Sequence, residues 1–312
     1  MDPSLSLRLC VTFCGLTLRN PIIAASGTFA YGLEFEKLTD LSQIGALVTK
    51  GLSSLPIEGN PAPRLWEAQA GMINSVGLQN IGVRAFIEHK LPTLRTLPVP
   101  VIANVFGYAP EDYLEVIHAL NDADGISAYE LNVSCPNTKH GGIFFSNDPD
   151  ALTALVTEVK RIASRPVIVK LSPNVARIEP LAQAAEQSGA DAISLVNTFI
   201  SLAIDARTRR SRIGAGFGGL SGPAIKPIAL RMVYQAAQAV KIPVLGMGGI
   251  ANGEDAAEFL IAGATAVQVG TATFWDPGSP ARIAGEFRRF LEQERIADVR
   301  QLTGTLKLMM DS

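Results

Sequence analysis

Eight short, mostly apolar runs recur along the sequence, at 21–26, 46–50, 99–105, 128–133, 166–171, 192–197, 243–247 and 266–270. Each ends in small or polar residues, and stretches of helical period separate them. In 148–164, for example, Leu152, Leu155, Val156, Val159 and Ile162 share one helical face. Pro110 ahead of Glu111 and Asp112 reads as a helix start, as does Asn252 ahead of Glu254 and Asp255. Apolar strands alternating with helices imply a parallel sheet. Eight such units favour a closed (β/α)8 TIM barrel. The competing arrangement is an open doubly wound sheet. Against it, Gly246-Met247-Gly248-Gly249-Ile250 departs from the G-x-G-x-x-G pattern and does not lie in a first strand–turn–helix unit.

The length, 312 residues, fits two ordinary domains or one barrel of about 250 residues with insertions. With no low-complexity tract and no Gly/Ser linker, a single domain spanning 1–312 is the expectation. Alternation over 7–18, with a turn near Cys14-Gly15, predicts an N-terminal β-hairpin. Insertions are expected after strands 2, 4 and 6. Loops that follow strands sit on the catalytic face of such a barrel, so these should shape a substrate pocket. Apolar residues make up 47% and charged residues 18%, enough to bury a large core. A net charge of −2 argues against a nucleic-acid binder. Three scattered cysteines form neither a disulfide framework nor a metal-ligand spacing, which points to a reducing cytoplasm. The first 18 residues are too short and polar for a membrane span and lack signal-peptide character.

Polar residues collect where the strands end: Lys50, Asn104, Asn132, Lys170, Asn197-Thr198, Gly248-Gly249 and Gly270-Thr271. A barrel gathers all of these at one mouth. Any one of them has a mundane reading, since a strand lysine can simply pair with a carboxylate. Two lysines in apolar strands point further, to an anionic ligand. Glycine turns after strands 7 and 8, each followed by a helix start, suit a phosphate, and Gly218 to Gly222 offers another donor loop. Cys135 sits where strand 4 turns into a loop, a place where a thiolate can accept a proton; a lone cysteine is otherwise a small core residue. Cys10 and Cys14 read as structural. His89 and His118 fall on outer helices, and His140 lies in the Cys135 loop as loop structure or an active-site neighbour.

Taken in order, the motifs resemble those of the dihydroorotate dehydrogenase family, specifically its class 1B catalytic subunit, over about residues 9–297. They are Ala25-Ser26-Gly27-Thr28-Phe29, Gly59-Asn60-Pro61-Ala62-Pro63-Arg64 and Gly71-Met72-Ile73-Asn74-Ser75-Val76-Gly77-Leu78-Gln79-Asn80. Next come Glu130-Leu131-Asn132-Val133-Ser134-Cys135-Pro136-Asn137, Val169-Lys170-Leu171-Ser172-Pro173-Asn174 and Gly218-Gly219-Leu220-Ser221-Gly222-Pro223-Ala224-Ile225-Lys226-Pro227. Gly246 to Ile250 and Val269-Gly270-Thr271-Ala272 complete the set. Val133 stands where the family pattern has Ile. Class 2 members use Ser as the base and carry an N-terminal extension. Cys135 separates this chain from them, while the 77–80 and 139–142 segments look more like class 1B than class 1A.

The resemblance implies FMN-dependent oxidation of (S)-dihydroorotate to orotate in de novo pyrimidine (UMP) synthesis, with one FMN per chain. Cys135 would be the general base and flavin N5 the hydride acceptor, with Lys50 and Lys170 as the other catalytic residues. Lys170 would lie near the flavin N1/O2 edge. Lys50, Asn74, Ser75, Val76, Gly77, Leu78, Asn132, Asn197 and Thr198 would hold the substrate. Ser26, Lys50, Gly51, Asn104, Asn132, Lys170, Val196, Gly222, Gly248, Gly249, Gly270 and Thr271 would bind FMN, the last four at its phosphate. The loop from Cys135 to about Asn147 would act as a lid. No cysteine cluster for an iron–sulfur centre is present, so FAD and a 2Fe–2S cluster are expected on a partner subunit that passes electrons to NAD+. A homodimer of this chain would form the core of a heterotetramer. Three rivals remain at this point: a uracil-reducing barrel like that of dihydropyrimidine dehydrogenase, a flavin-free sugar-phosphate barrel, and a ligand-binding barrel without turnover.

Overall fold

A computed structural model of the chain describes residues 7–134 and 145–308. It begins with an antiparallel pair, β1 (Val11–Phe13) and β2 (Leu16–Leu18), inside the predicted hairpin. The connection takes positive φ at both residues, 40° at Cys14 and 82° at Gly15, a primed turn whose twist matches that of the strands. Burial, with the Asp191 carboxylate adding to it, pushes the Cys14 thiol up to about 12. That cysteine is a packed side chain, as expected.

Then come β3 (Ile22–Ala24), β4 (Ala46–Val48), β5 (Leu65–Ala68), β6 (Gly71–Asn74), β7 (Val101–Val105), β8 (Ala128–Asn132), β9 (Val167–Lys170) and β10 (Ala192–Leu195). The rest are β11 (Phe199–Ser201), β12 (Ile204–Asp205), β13 (Arg210–Ser211), β14 (Gly218–Ser221), β15 (Val244–Met247) and β16 (Ala266–Val269). Eight of these close a barrel in the order β3-β4-β7-β8-β9-β10-β15-β16, every pair parallel. They coincide with the eight apolar runs. Apart from Asn132, every residue in them is buried, which is why their sequence shows no in–out alternation.

The helices cover the outside. They are α1 (Val83–His89), α2 (Leu91–Leu94), α3 (Pro110–Asn121), α4 (Pro149–Ile162), α5 (Glu179–Gln187), α6 (Lys226–Ala239), α7 (Gly253–Ile261) and α8 (Ser279–Gln293). Leu152, Leu155, Val156 and Val159 of α4 are buried, while Ile162 at its end is half-exposed. Asp148 caps this helix by accepting from the N–H groups of Asp150 and Ala151, at 2.9 and 3.3 Å. At α7 the Asn252 side chain accepts from Asp255 N–H at 2.9 Å, and Asp255 returns the bond at 3.2 Å.

The insertions after the second and sixth barrel strands meet. β5 and β6 come from the first and β11 and β14 from the other, and they form one antiparallel sheet ordered β11-β14-β6-β5. This sheet carries Asn74, opposite Gly219, into the mouth of the barrel. Most of the insertion after the fourth strand lies outside the described residues, and with it Cys135 and His140.

Candidate active site

Every expected site residue among the described ones lines a single cavity of about 880 Å³ at the C-terminal ends of the barrel strands. That volume is within the usual range for small-molecule sites. The cavity gathers the sequence-predicted set, from Ser26 and Lys50 through Asn74, Asn132 and Lys170 to Gly270 and Thr271. Cys135 falls outside the described residues, directly after Ser134, which lines the same cavity.

The two lysines differ. Lys170 ends β9, is only 5% exposed, and stands 3.5 Å from a carboxylate oxygen of Glu130 on β8. It also donates to Ser26 Oγ at 3.3 Å. The mundane reading of a strand lysine thus holds in part here, because the chain itself supplies an anion. Lys50, just beyond β4, is half-buried and has no ion pair or side-chain hydrogen bond among the described residues. Burial pulls its ammonium below the ordinary lysine range, and the positive charge of Arg64 adds to that, against a smaller pull from Glu34. A cation held this way is satisfied by an anion entering the cavity.

The loop bearing the 75–78 residues is held from behind. Arg64 donates to the carbonyls of Asn60 and, at 3.1 Å, Glu58, and to Gln79 Oε1 at 2.9 Å. Asn60 donates to Ser75 Oγ at 2.8 Å. Gly77 has φ 75°, and a Cβ there would lie 2.4 Å from Asn60 N, so only glycine fits. Across the mouth, Asn197 donates to Asn132 Oδ1 at 3.2 Å and accepts from Thr198 N–H at 2.9 Å. Asn132 Oδ1 also accepts from Ser134 N–H at 3.3 Å, so its amide nitrogen is left to donate. Asn174, which sequence reasoning did not single out, lines the cavity and donates to the Thr198 carbonyl at 3.0 Å.

Gly248 and Gly249 have φ 127° and 87°, Gly222 has 96°, and the backbone packs close around them. A Cβ on Gly249 would lie 2.8 Å from the Gly222 carbonyl, and one on Gly248 would lie 2.7 Å from Ala229 Cβ. Among the described residues, the N–H groups of Gly249, Ile250, Gly270 and Thr271 donate to no protein acceptor. Unspent donors in a glycine cradle at the seventh and eighth strand ends are the kind of group that can receive an anion.

Glu130 is the residue that sequence reasoning passed over. It is fully buried in the floor, where it accepts from Asn104 at 2.7 Å, Ser194 at 3.0 Å and Gln268 at 2.5 Å, besides facing Lys170. The signal was available: a carboxylate inside an apolar strand asks for a partner as much as a lysine does.

Residues 8–291 match the profile of the family described as dihydroorotate dehydrogenase. The chain belongs to the dihydroorotate dehydrogenase family. It is therefore an oxidoreductase of that family on a TIM barrel. A Solibacter usitatus protein provisionally named dihydroorotate dehydrogenase A (fumarate) is 71% identical, over 96% of this chain and 99% of its own. The Geobacter sulfurreducens protein named dihydroorotate dehydrogenase B (NAD(+)), catalytic subunit, is 54% identical over 96% of this chain and 98% of its own. A Trichlorobacter lovleyi protein of that second name is 50% identical over 98% of this chain and its full length. No helix among the described residues is long and apolar enough to cross a membrane.

Proposed function

We propose that this chain is the FMN-bearing catalytic subunit that oxidises (S)-dihydroorotate to orotate in the cytoplasm, on the route to pyrimidine nucleotides. The observation that carries the reading is one cavity combining unspent backbone donors in a glycine cradle, a buried ammonium in its floor, and, among seven asparagines, a Lys50 with no side-chain partner among the described residues. The cavity suits FMN and a small anionic amide together. Gly248, Gly249, Gly270 and Thr271 would hold the phosphate. Ser26, Gly51, Asn104, Val196 and Gly222 would line the flavin, and Lys170 would face its electron-rich edge.

In the reaction a proton leaves C5 and a hydride leaves C6, so that a C–C single bond becomes double. Cys135, as thiolate, would accept the C5 proton. When bound, FMN supplies the hydride acceptor. Lys50 would neutralise the substrate carboxylate, while Asn74, Asn132, Asn197 and Thr198, with the 75–78 loop, would match its amide donors and acceptors.

The relatives' names divide over the electron acceptor. The 77–80 and 139–142 segments favour NAD+, reached through a separate subunit with FAD and a 2Fe–2S cluster in a heterotetramer built on a dimer of this chain. Fumarate is the second reading, and the name of the 71%-identical relative favours it. The test is an anaerobic titration of the purified yellow protein with dihydroorotate. Bleaching that is strongly slowed in Cys135→Ala, with flavin retained, supports the half-reaction and its base. Reoxidation by fumarate alone would replace the NAD+ reading. Bleaching by dihydrouracil instead, or failure to take up FMN, would overturn the assignment.

A further inference from the structure

We propose that Glu130 is a positioning residue that sets the polar floor of the cavity, acting through Lys170, Asn104 and Gln268; this rests on the flavin reading above. Its carboxylate is fully buried and does not line the cavity. Three of the four side chains that address it do line the cavity, namely Asn104, Lys170 and Gln268. The fourth, Ser194, lies behind the floor and is itself fully buried.

An ionised carboxylate only accepts, so each group facing it must present a donor. The amide nitrogens of Asn104 and Gln268 are therefore drawn inward, and their carbonyl oxygens are turned away from Glu130. Flipping Gln268 would put two oxygens 2.5 Å apart. Gln268 Oε1 is buried and accepts no hydrogen bond among the described residues. Leaving a buried acceptor orphaned is costly, so it is the bond to Glu130 that dictates which way this amide points. Toward the cavity the floor thus presents the Lys170 ammonium as a donor and the Asn104 carbonyl oxygen as an acceptor in a fixed pattern, complementary to a planar heterocycle that bears both N–H and C=O groups on one edge. The isoalloxazine ring has such an edge. Glu130 also places a negative charge beside the Lys170 ammonium, so the electrostatic potential that a flavin meets there belongs to the pair.

The test compares wild type, Glu130→Gln, Glu130→Asp and Ser194→Ala, each loaded with FMN, by the midpoint potential of the bound flavin across pH, the FMN dissociation constant, and thermal melting. In Glu130→Gln the amide accepts on one oxygen only and leaves two donors opposed by an NH2. The flavin potential should move away from wild type and FMN binding should weaken by about tenfold or more. Glu130→Asp, which keeps the charge, should return the potential most of the way. Ser194→Ala removes a hydroxyl that touches the carboxylate and not the cavity, and should shift the potential in the same direction by less. It also serves if Glu130→Gln fails to fold. Lower melting with potentials that superimpose on wild type at every pH would make Glu130 a core residue only and overturn the proposal. A wild-type protein that takes up no FMN would instead remove the flavin reading beneath it.

Discussion

Lys50 and Gly249 show how much a single residue can be asked to do in this cavity. Lys50 is a cation without a side-chain partner among the described residues, and burial and Arg64 hold its pKa below the ordinary 10.5. Only the ammonium form attracts an anion. Orotate affinity should therefore be full at low pH and fall as pH rises through the lowered Lys50 value, before an ordinary lysine would titrate. Orotate titrations followed by flavin absorbance, in steps from about pH 7 upward, should show that decline in wild type. Lys50→Arg, whose charge persists above about pH 12, should not show it. Lys50→Met should weaken orotate by about 10- to 100-fold near neutrality, the worth of a charged hydrogen bond. Gly249 faces a steric demand instead. Its φ of 87° and the Gly222 carbonyl 2.8 Å from any added Cβ predict that Gly249→Ala loses on the order of 1–3 kcal/mol. FMN affinity should fall with it. Gly270→Ala is the contrast, since its φ is −116° and the nearest atom to a new Cβ is 3.5 Å away. Melting curves of the two variants beside wild type check the difference.

Among the elements, the antiparallel sheet across the mouth carries the substrate side. β6 brings Asn74, whose amide donates to the Gly219 carbonyl of β14 at 3.2 Å. A Cβ on Gly219 would lie 2.0 Å from Thr198 Oγ1. Gly219→Ala should therefore displace Thr198 and weaken orotate by about tenfold while FMN binding changes much less, a difference that separate titrations of the two ligands would show. If both fall equally, the sheet supports the whole site. This sheet was also the part of the fold hardest to read in sequence. The barrel strands announce themselves because burial on both faces demands uninterrupted apolar runs such as Val167 to Lys170. β6 and β14 are four residues each, glycine-bearing and partly exposed, and their register joins Asn74 to a residue 145 positions away. Local pattern holds no trace of such a pairing. The site was more legible than its cover, since residues at the C-terminal strand ends must converge once the barrel closes. What stayed hidden was the support: Glu130, Ser194 and Gln268 act from within the strands, where their hydrogen bonds depend on register.

For the whole molecule, the ligand reading has a thermodynamic consequence. The cavity draws on all eight barrel strands or the segments directly after them, from Ala25 beyond β3 to Gly270 beyond β16. A ligand filling it ties the closed barrel together and has no counterpart in the unfolded chain. Free FMN at about 100 times its dissociation constant should add about 2.7 kcal/mol. For a chain of this length that corresponds to a rise in melting temperature of about 4 °C. The rise should continue logarithmically with added FMN, a form that a nonspecific additive effect does not give. Orotate should raise the melting temperature further only when FMN is present, because the flavin ring would form one wall of its site, and in Lys50→Met that second increment should shrink by more than the first. Thermal scans over a grid of FMN and orotate concentrations would test both statements. Stabilisation by orotate of equal size with and without FMN would show two independent sites, and the shared cavity would then need another account.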